Sequence, residues 1–112
     1  MEFDHFTLLL LATNPEYEDG AEPAVWDGHL AHLASLHESG ELVAAGPVQD
    51  DHLRGICILT VDEERAREIA DADPAVRAGI FTAQLIPWRV PKGVLVHVES
   101  GRLPRSTAEA SS

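Results

Sequence analysis

Apolar positions along the chain switch between two periods. Residues 4–12, Asp-His-Phe-Thr-Leu-Leu-Leu-Leu-Ala, are apolar in both phases of an extended chain, which predicts a first strand covered on two sides. A polar loop follows from Asn14 to Pro23, broken at Asn14-Pro15, Asp19-Gly20 and Glu22-Pro23. From Ala24 to Ser39 the period lengthens: Trp26, Leu30, Leu33 and Leu36 recur every three or four residues, as in a helix with one buried stripe. Pro23 has the φ angle that a first helical turn needs, and Gly40 is suited to the left-handed conformation that ends a helix. Leu42 to Ala45 reads as a second strand closed by Gly46-Pro47. Arg54 to Val61 reads as a third, with Ile56 and Ile58 on one face and Cys57, Leu59 and Val61 on the other. Asp62 is then an N-cap, with Glu63 and Glu64 at the positive end of a helix that runs to about Ala72 and buries Ala66, Ile69 and Ala70. Asp73-Pro74 opens one more turn, as far as Gly79, before a fourth strand from Ile80 to Val90.

The resulting order, βαββαβ, predicts an α+β fold of the ferredoxin-like kind: a four-stranded antiparallel sheet with both helices on one face. Residues 1–90 make this single domain. Residues 91–112 form a C-terminal extension, read as a short strand over Gly93–Val98 and then a disordered tail. Two helices cover only one side of the sheet, while the first, third and fourth strands are apolar on both. Soluble monomers rarely expose so large an apolar patch, which predicts a homodimer with two sheets packed face to face.

Charge narrows the classes of partner. The 112 residues carry 19 acidic and 8 basic side chains, a net charge of −11. A nucleic-acid binder needs a basic face to neutralise phosphates, and none is visible. No apolar run reaches the ~18 residues of a membrane span, and Phe6 to Ala12 lacks the length and basic leader of a signal peptide. The expectation is therefore a cytoplasmic protein with no membrane or nucleic-acid partner. Cys57 is the single cysteine, which rules out an intramolecular disulfide and any multi-cysteine metal site. Inside a strand it reads as a small buried hydrophobe rather than a reactive thiol.

Histidines supply the candidate chemistry. His29 borders the apolar stripe of the first helix, where a partly desolvated imidazole can exchange a proton near neutral pH. It can serve there as a general base or acid, or it can simply pack at the edge of the core. His32 lies one turn further on and reads as a rim or solvated residue. Two imidazoles at i and i+3 are too few for a stable metal site without a third ligand, and no His-Glu-x-x-His is present. His37 and His52 are expected to be exposed, and His5 and His97 flank strands without an evident partner.

Two blocks carry a family resemblance. One is His29-Leu-x-x-Leu-x-x-Leu-x-x-x-Gly40-x-Leu42-x-x-Ala45-Gly46-Pro47. The other is Asp73-Pro74-x-Val76-x-Ala78-Gly79-Ile80-Phe81, continuing to Ile86-Pro87-Trp88. Together with the element order they make residues 4–90 similar to the YCII-related (YciI-like) family. The resemblance implies a dimeric α/β barrel of ferredoxin-like subunits with a site centred on a histidine and an aspartate. It also implies kinship with a few dehalogenases that eliminate chloride from chlorinated lactones or quinols. The histidine of that site falls on His29 and the aspartate on Asp73. The chain departs from the family at His32, where a basic residue is frequent, and at His52-Leu-Arg54-Gly55, where a Gly-Ser pair is frequent.

On this reading Asp73 holds His29 in one tautomer, and as Asp followed by Pro it is equally suited to cap a helical turn. His32, Arg54, Trp26 and Pro47 are the expected ligand contacts, with Arg54 able to pair with a carboxylate. The favoured function is a cofactor-free, metal-free lyase or isomerase acting by proton transfer on a small cyclic or aromatic-derived acid. A non-catalytic dimer that binds a metabolite or a protein partner is the alternative.

Overall fold

In the computed structural model, which describes residues 1–17 and 20–110, the elements follow the order read from the sequence. They are β1 (Phe3–Thr13), α1 (Pro23–Ser39), β2 (Leu42–Pro47), β3 (Leu53–Leu59), α2 (Glu63–Ala72), α3 (Pro74–Arg77), β4 (Phe81–Pro91) and α4 (Thr107–Ala110). Asp19, one half of a predicted loop break, lies outside the described residues. The four strands form one antiparallel sheet in the order β2-β3-β1-β4, so the fold is α+β and ferredoxin-like.

Local chemistry accounts for the element ends. Pro23 occupies the first turn of α1, and Gly40 ends it at φ 85°, a left-handed conformation that costs a glycine little. The Asp62 side chain accepts the Arg65 backbone N–H at 2.9 Å and caps α2, with Glu63 and Glu64 in its first turn.

Strand register decides which residues face the helices. Leu9 pairs with Cys57 on one side and Leu85 on the other, and Thr7 pairs with Leu59 and Pro87. Paired residues share a face, so Leu9, Leu11, Cys57, Leu59 and Leu42 all point at the helices. There they meet Leu33 and Leu36 of α1 and Ala66, Ile69 and Ala70 of α2 in one buried cluster. Each fully buried Leu or Ile in it contributes about 2 kcal/mol relative to exposure. The Thr7 hydroxyl in this layer donates to the Val61 carbonyl at 2.7 Å, so its burial leaves no polar group unsatisfied.

On the opposite face the register aligns Phe6 with Trp88, Leu8 with Ile58 and Ile86, and Leu10 with Ile56. Phe6, Val43 and Val90 form a smaller buried cluster with Ile58 and Leu95 against it. Trp88 and Ile86 remain 40% and 36% exposed. No helix among the described residues lies on this face, as the βαββαβ order implied.

The C-terminal extension departs from expectation. Gly93–Val98 forms turns and irregular chain rather than a strand. Beyond it, residues 99–110 run along α1 and end in the one-turn helix α4, where a disordered tail was expected. Their apolar residues are too few and too irregularly spaced to show a period, yet Leu103 reaches the main core.

Candidate active site

A cavity of about 410 Å³ lies between the N-terminal half of α1 and the sheet. Side-chain size explains why it is there. Nearer the middle of the sheet, Leu9, Cys57 and Leu85 fill the space beneath the helices, but the next row is Leu11, Gly55 and Ala83, with Pro47 beyond Gly55. Gly55 offers no side chain, and a Cβ there would meet only the Gly46 carbonyl and Leu11, at 3.6 Å or more. The sheet floor is thus shallow under Trp26, His29, Leu30 and Leu33 of α1, and Phe81 closes one side.

His29 and Asp73 meet at the edge of this cavity. The Nδ1 of His29 lies 2.9 and 2.8 Å from the two carboxylate oxygens of Asp73. The same Asp73 Oδ1 accepts the Ala75 backbone N–H at 2.9 Å and caps α3. Its side chain is only 3% exposed and that of His29 12%. The cap and the histidine contact are therefore simultaneous, both resting on one carboxylate that α3 holds in place. α1 approaches closely enough to complete the pair because residue 28 is glycine: a Cβ there would come within 3.0 Å of the Pro74 ring.

The imidazole sits among aromatic edges. Its centroid is 6.1 Å from that of Trp26 and 5.7 Å from that of Phe81, both near-perpendicular, and Trp26 and Phe81 meet at 5.6 Å. Donation of Nδ1–H to Asp73 puts the lone pair on Nε2. Nε2 has no hydrogen-bond partner among the described residues, and no buried side-chain nitrogen or oxygen there lacks one, so Nε2 is open to the cavity. An imidazole fixed at one nitrogen by a carboxylate and open at the other is arranged to take up a proton. The carboxylate stabilises the imidazolium that forms.

Of the expected ligand contacts, Trp26, Pro47 and Arg54 line the cavity with His29. Arg54 is exposed, donates from Nη1 to the Asp50 carbonyl at 3.4 Å, and is the only Lys, Arg, Asp or Glu among the described lining residues. His32 is a correction: it does not line the cavity, and its Nε2 donates to the Ile69 carbonyl at 2.9 Å, tying α1 to α2. His37 is a second correction, being 7% exposed rather than solvated. It is covered by His97, whose ring lies tilted by 40° against it with centroids 4.5 Å apart and whose Nε2 donates to the His37 carbonyl at 2.6 Å. Cys57 lies in the sheet floor, and burial, with a smaller contribution from the nearby Asp73 charge, pushes its thiol up to about 12. The thiolate nucleophile is accordingly suppressed. Among the described residues, no group of three or more His, Cys, Asp or Glu side chains is placed to hold a metal ion.

Sequence reasoning missed several of the walls. Leu11, Leu30, Leu33 and Phe81 read as ordinary core, and Leu103, Pro104 and Ala110 belong to the presumed tail. Gly28 belongs with the missed residues. A glycine inside a helix beside the key histidine was the available signal of close backbone approach.

A ferredoxin-like α+β domain with a buried His–Asp contact beside an apolar cavity is the class that the fold and site define. The family model of the YCII-related domain matches residues 6–89, and the chain belongs to that family. No curated protein matches the chain.

Proposed function

We propose that this YCII-related protein is a cofactor-free enzyme of lyase or isomerase type, acting by proton transfer on a small cyclic or aromatic-derived acid. The observation that carries the reading is the open Nε2 of His29, whose Nδ1 is held by Asp73 at the edge of an apolar cavity. In the proposed step Nε2 removes a proton from the carbon next to an activating carbonyl. The C–H electron pair forms a carbon–carbon double bond, and a leaving group such as chloride departs with its own bonding pair. Asp73 orients the imidazole and stabilises its charge, and Arg54 pairs with the substrate carboxylate. Trp26, Phe81 and Pro47 shape the apolar remainder of the site.

Chloride release from a panel of chlorinated lactones and chlorinated hydroxyquinols, compared between wild type and His29→Gln, tests this. Release that depends on His29 is the expected result. Equal release from both proteins, or none from any substrate together with no His29-dependent deuterium exchange into a bound acid, would sink it.

The apolar lining, in which Arg54 is the one Lys or Arg among the described residues, also favours a second reading, a binding module that retains such an acid without turning it over. It predicts that His29→Gln binds the acid as wild type does. In either case a second copy of the chain is the proposed cover for the open sheet face, and a cytoplasmic location is proposed. No helix among the described residues is long and apolar enough to cross a membrane.

A further inference from the structure

Residues 97–110 lie beyond the family match, which ends at residue 89, and yet they build part of the cavity. Leu103 packs against the core and, with Pro104 and Ala110, lines the cavity together with α1 and the sheet floor. Among the described residues, three side-chain contacts hold this segment to α1. The His97 ring packs at a tilt against His37, and its Nε2 donates to the His37 carbonyl. Arg105 pairs with Glu38. Asp27 accepts both the backbone N–H and the hydroxyl of Thr107, at 2.8 and 2.9 Å, which fixes the start of α4. These two hydrogen bonds, the backbone one first, hold the Asp27 carboxyl below the usual carboxylate range, as expected of a formed contact. Asp27 and His29 both belong to the N-terminal half of α1, and Ala110 of the α4 that Asp27 anchors lines the cavity.

The two outer attachments are exposed and polar, and such contacts are the first to open in a folded protein. The core elements beneath are held by the buried cluster, to which the strap adds the partly buried Leu103. We propose that residues 97–110 form a strap that acts as a separable wall of the ligand cavity, and that Leu103 and Pro104 set the largest ligand it accepts. This deepens the reading of the cavity as a ligand site and rests on it.

The two tryptophans make the test internally controlled. Trp26 lines the cavity, while Trp88 lies on the open sheet face away from the strap. Relaxation of the two indole N–H signals by a soluble nitroxide is measured in the full chain for wild type, Leu103→Ala and Asp27→Ala/Arg105→Ala. The double variant changes only exposed or half-buried strap contacts, so it reads the strap even if Leu103→Ala folds poorly. Benzoate and 2-naphthoate are titrated in parallel.

Trp26 relaxation is expected to rise several-fold in the variants while Trp88 stays unchanged. The ratio of the naphthoate Kd to the benzoate Kd is expected to fall by about tenfold. Unchanged Trp26 relaxation in the double variant overturns the strap, whatever the acids do. A Kd ratio that stays constant while Trp26 becomes exposed overturns the size-limiting role of Leu103 and Pro104. Exposure of Trp26 with no binding of either acid upholds the strap as a separable wall and overturns the aryl-acid reading of the cavity.

Discussion

The Asp73 carboxylate does two jobs at once, accepting the Ala75 N–H that starts α3 and holding the Nδ1 of His29 on α1. Asp73→Asn separates them. Asparagine is as good a helix cap as aspartate, so its one carbonyl oxygen stays on the Ala75 N–H and its amide N–H2 faces His29. Nδ1 must then accept, which moves the imidazole proton to Nε2 and blocks the base. Imidazole ¹⁵N shifts should report the change of tautomer, with melting temperature nearly unaltered. His29-dependent proton transfer should fall on the order of a hundredfold or more. An unchanged tautomer would mean that the carboxylate serves α3 alone.

Gly28 tests how closely the two elements must approach. Gly→Ala inside a helix normally gains about 1 kcal/mol. Here the new Cβ meets Cγ and Cβ of the Pro74 ring at 3.0 and 3.3 Å, and that ring is rigid and adjoins Asp73. The expected outcome of Gly28→Ala is a stability gain well short of that value, with a loss of His29-dependent turnover as α3 is pushed away. Chemical denaturation and turnover measured together check it. The full gain with unchanged turnover would show that the approach has slack.

Alkaline stability reports the burial of Cys57. Its thiol is raised from 9.0 to about 12 in the fold. Between those values the unfolded chain has released a proton that the folded one keeps, so unfolding gains with rising pH. The contribution is complete below about pH 9 and falls by about 1.4 kcal/mol per unit above it. Urea midpoints at about pH 8 and about pH 10 should therefore converge between wild type and Cys57→Ala as pH rises. Parallel losses would place the effect in other groups.

Much of the fold was legible because its determinants are local. Pro23, Gly40 and Asp62 mark element ends by their own chemistry, and the βαββαβ order places both main helices on one face of the sheet. The site was less so. His29 stands out as a histidine beside an apolar stripe, but nothing within a helical turn points to Asp73, 44 residues away. That pairing came from the family resemblance and is now explained by α3 and Gly28. His32 resembled His29 in type and spacing, yet one turn along α1 its ring faces the end of α2 rather than the cavity. His37 looked solvated because its cover comes from His97, and contacts between single residues of an irregular segment leave no period to read.

The open face of the sheet carries the remaining prediction. Leu8, Leu10, Ile56, Ile58, Ile86 and Trp88 share it by register, and Trp88 stands tilted against Phe6 with centroids 6.5 Å apart. A contiguous apolar surface of this kind, unlike scattered exposed residues, marks an interaction site, and a second copy of the chain is the cover it predicts. The net charge of −11 opposes association through long-range repulsion, which salt screens, so apolar burial has to dominate at close range. The wild-type chain should sediment as a dimer at micromolar concentration, more tightly at higher salt. Trp88→Ala should weaken the dimer by about 2 kcal/mol, roughly thirtyfold in Kd, because large aromatics at the centre of an interface carry most of its energy. Ile86→Glu should leave a folded monomer, since a carboxylate opposite Leu8 would be buried without a partner. A wild-type chain that sediments as a monomer at every salt concentration would remove the sheet-face dimer. A dimer indifferent to both substitutions would place the interface elsewhere.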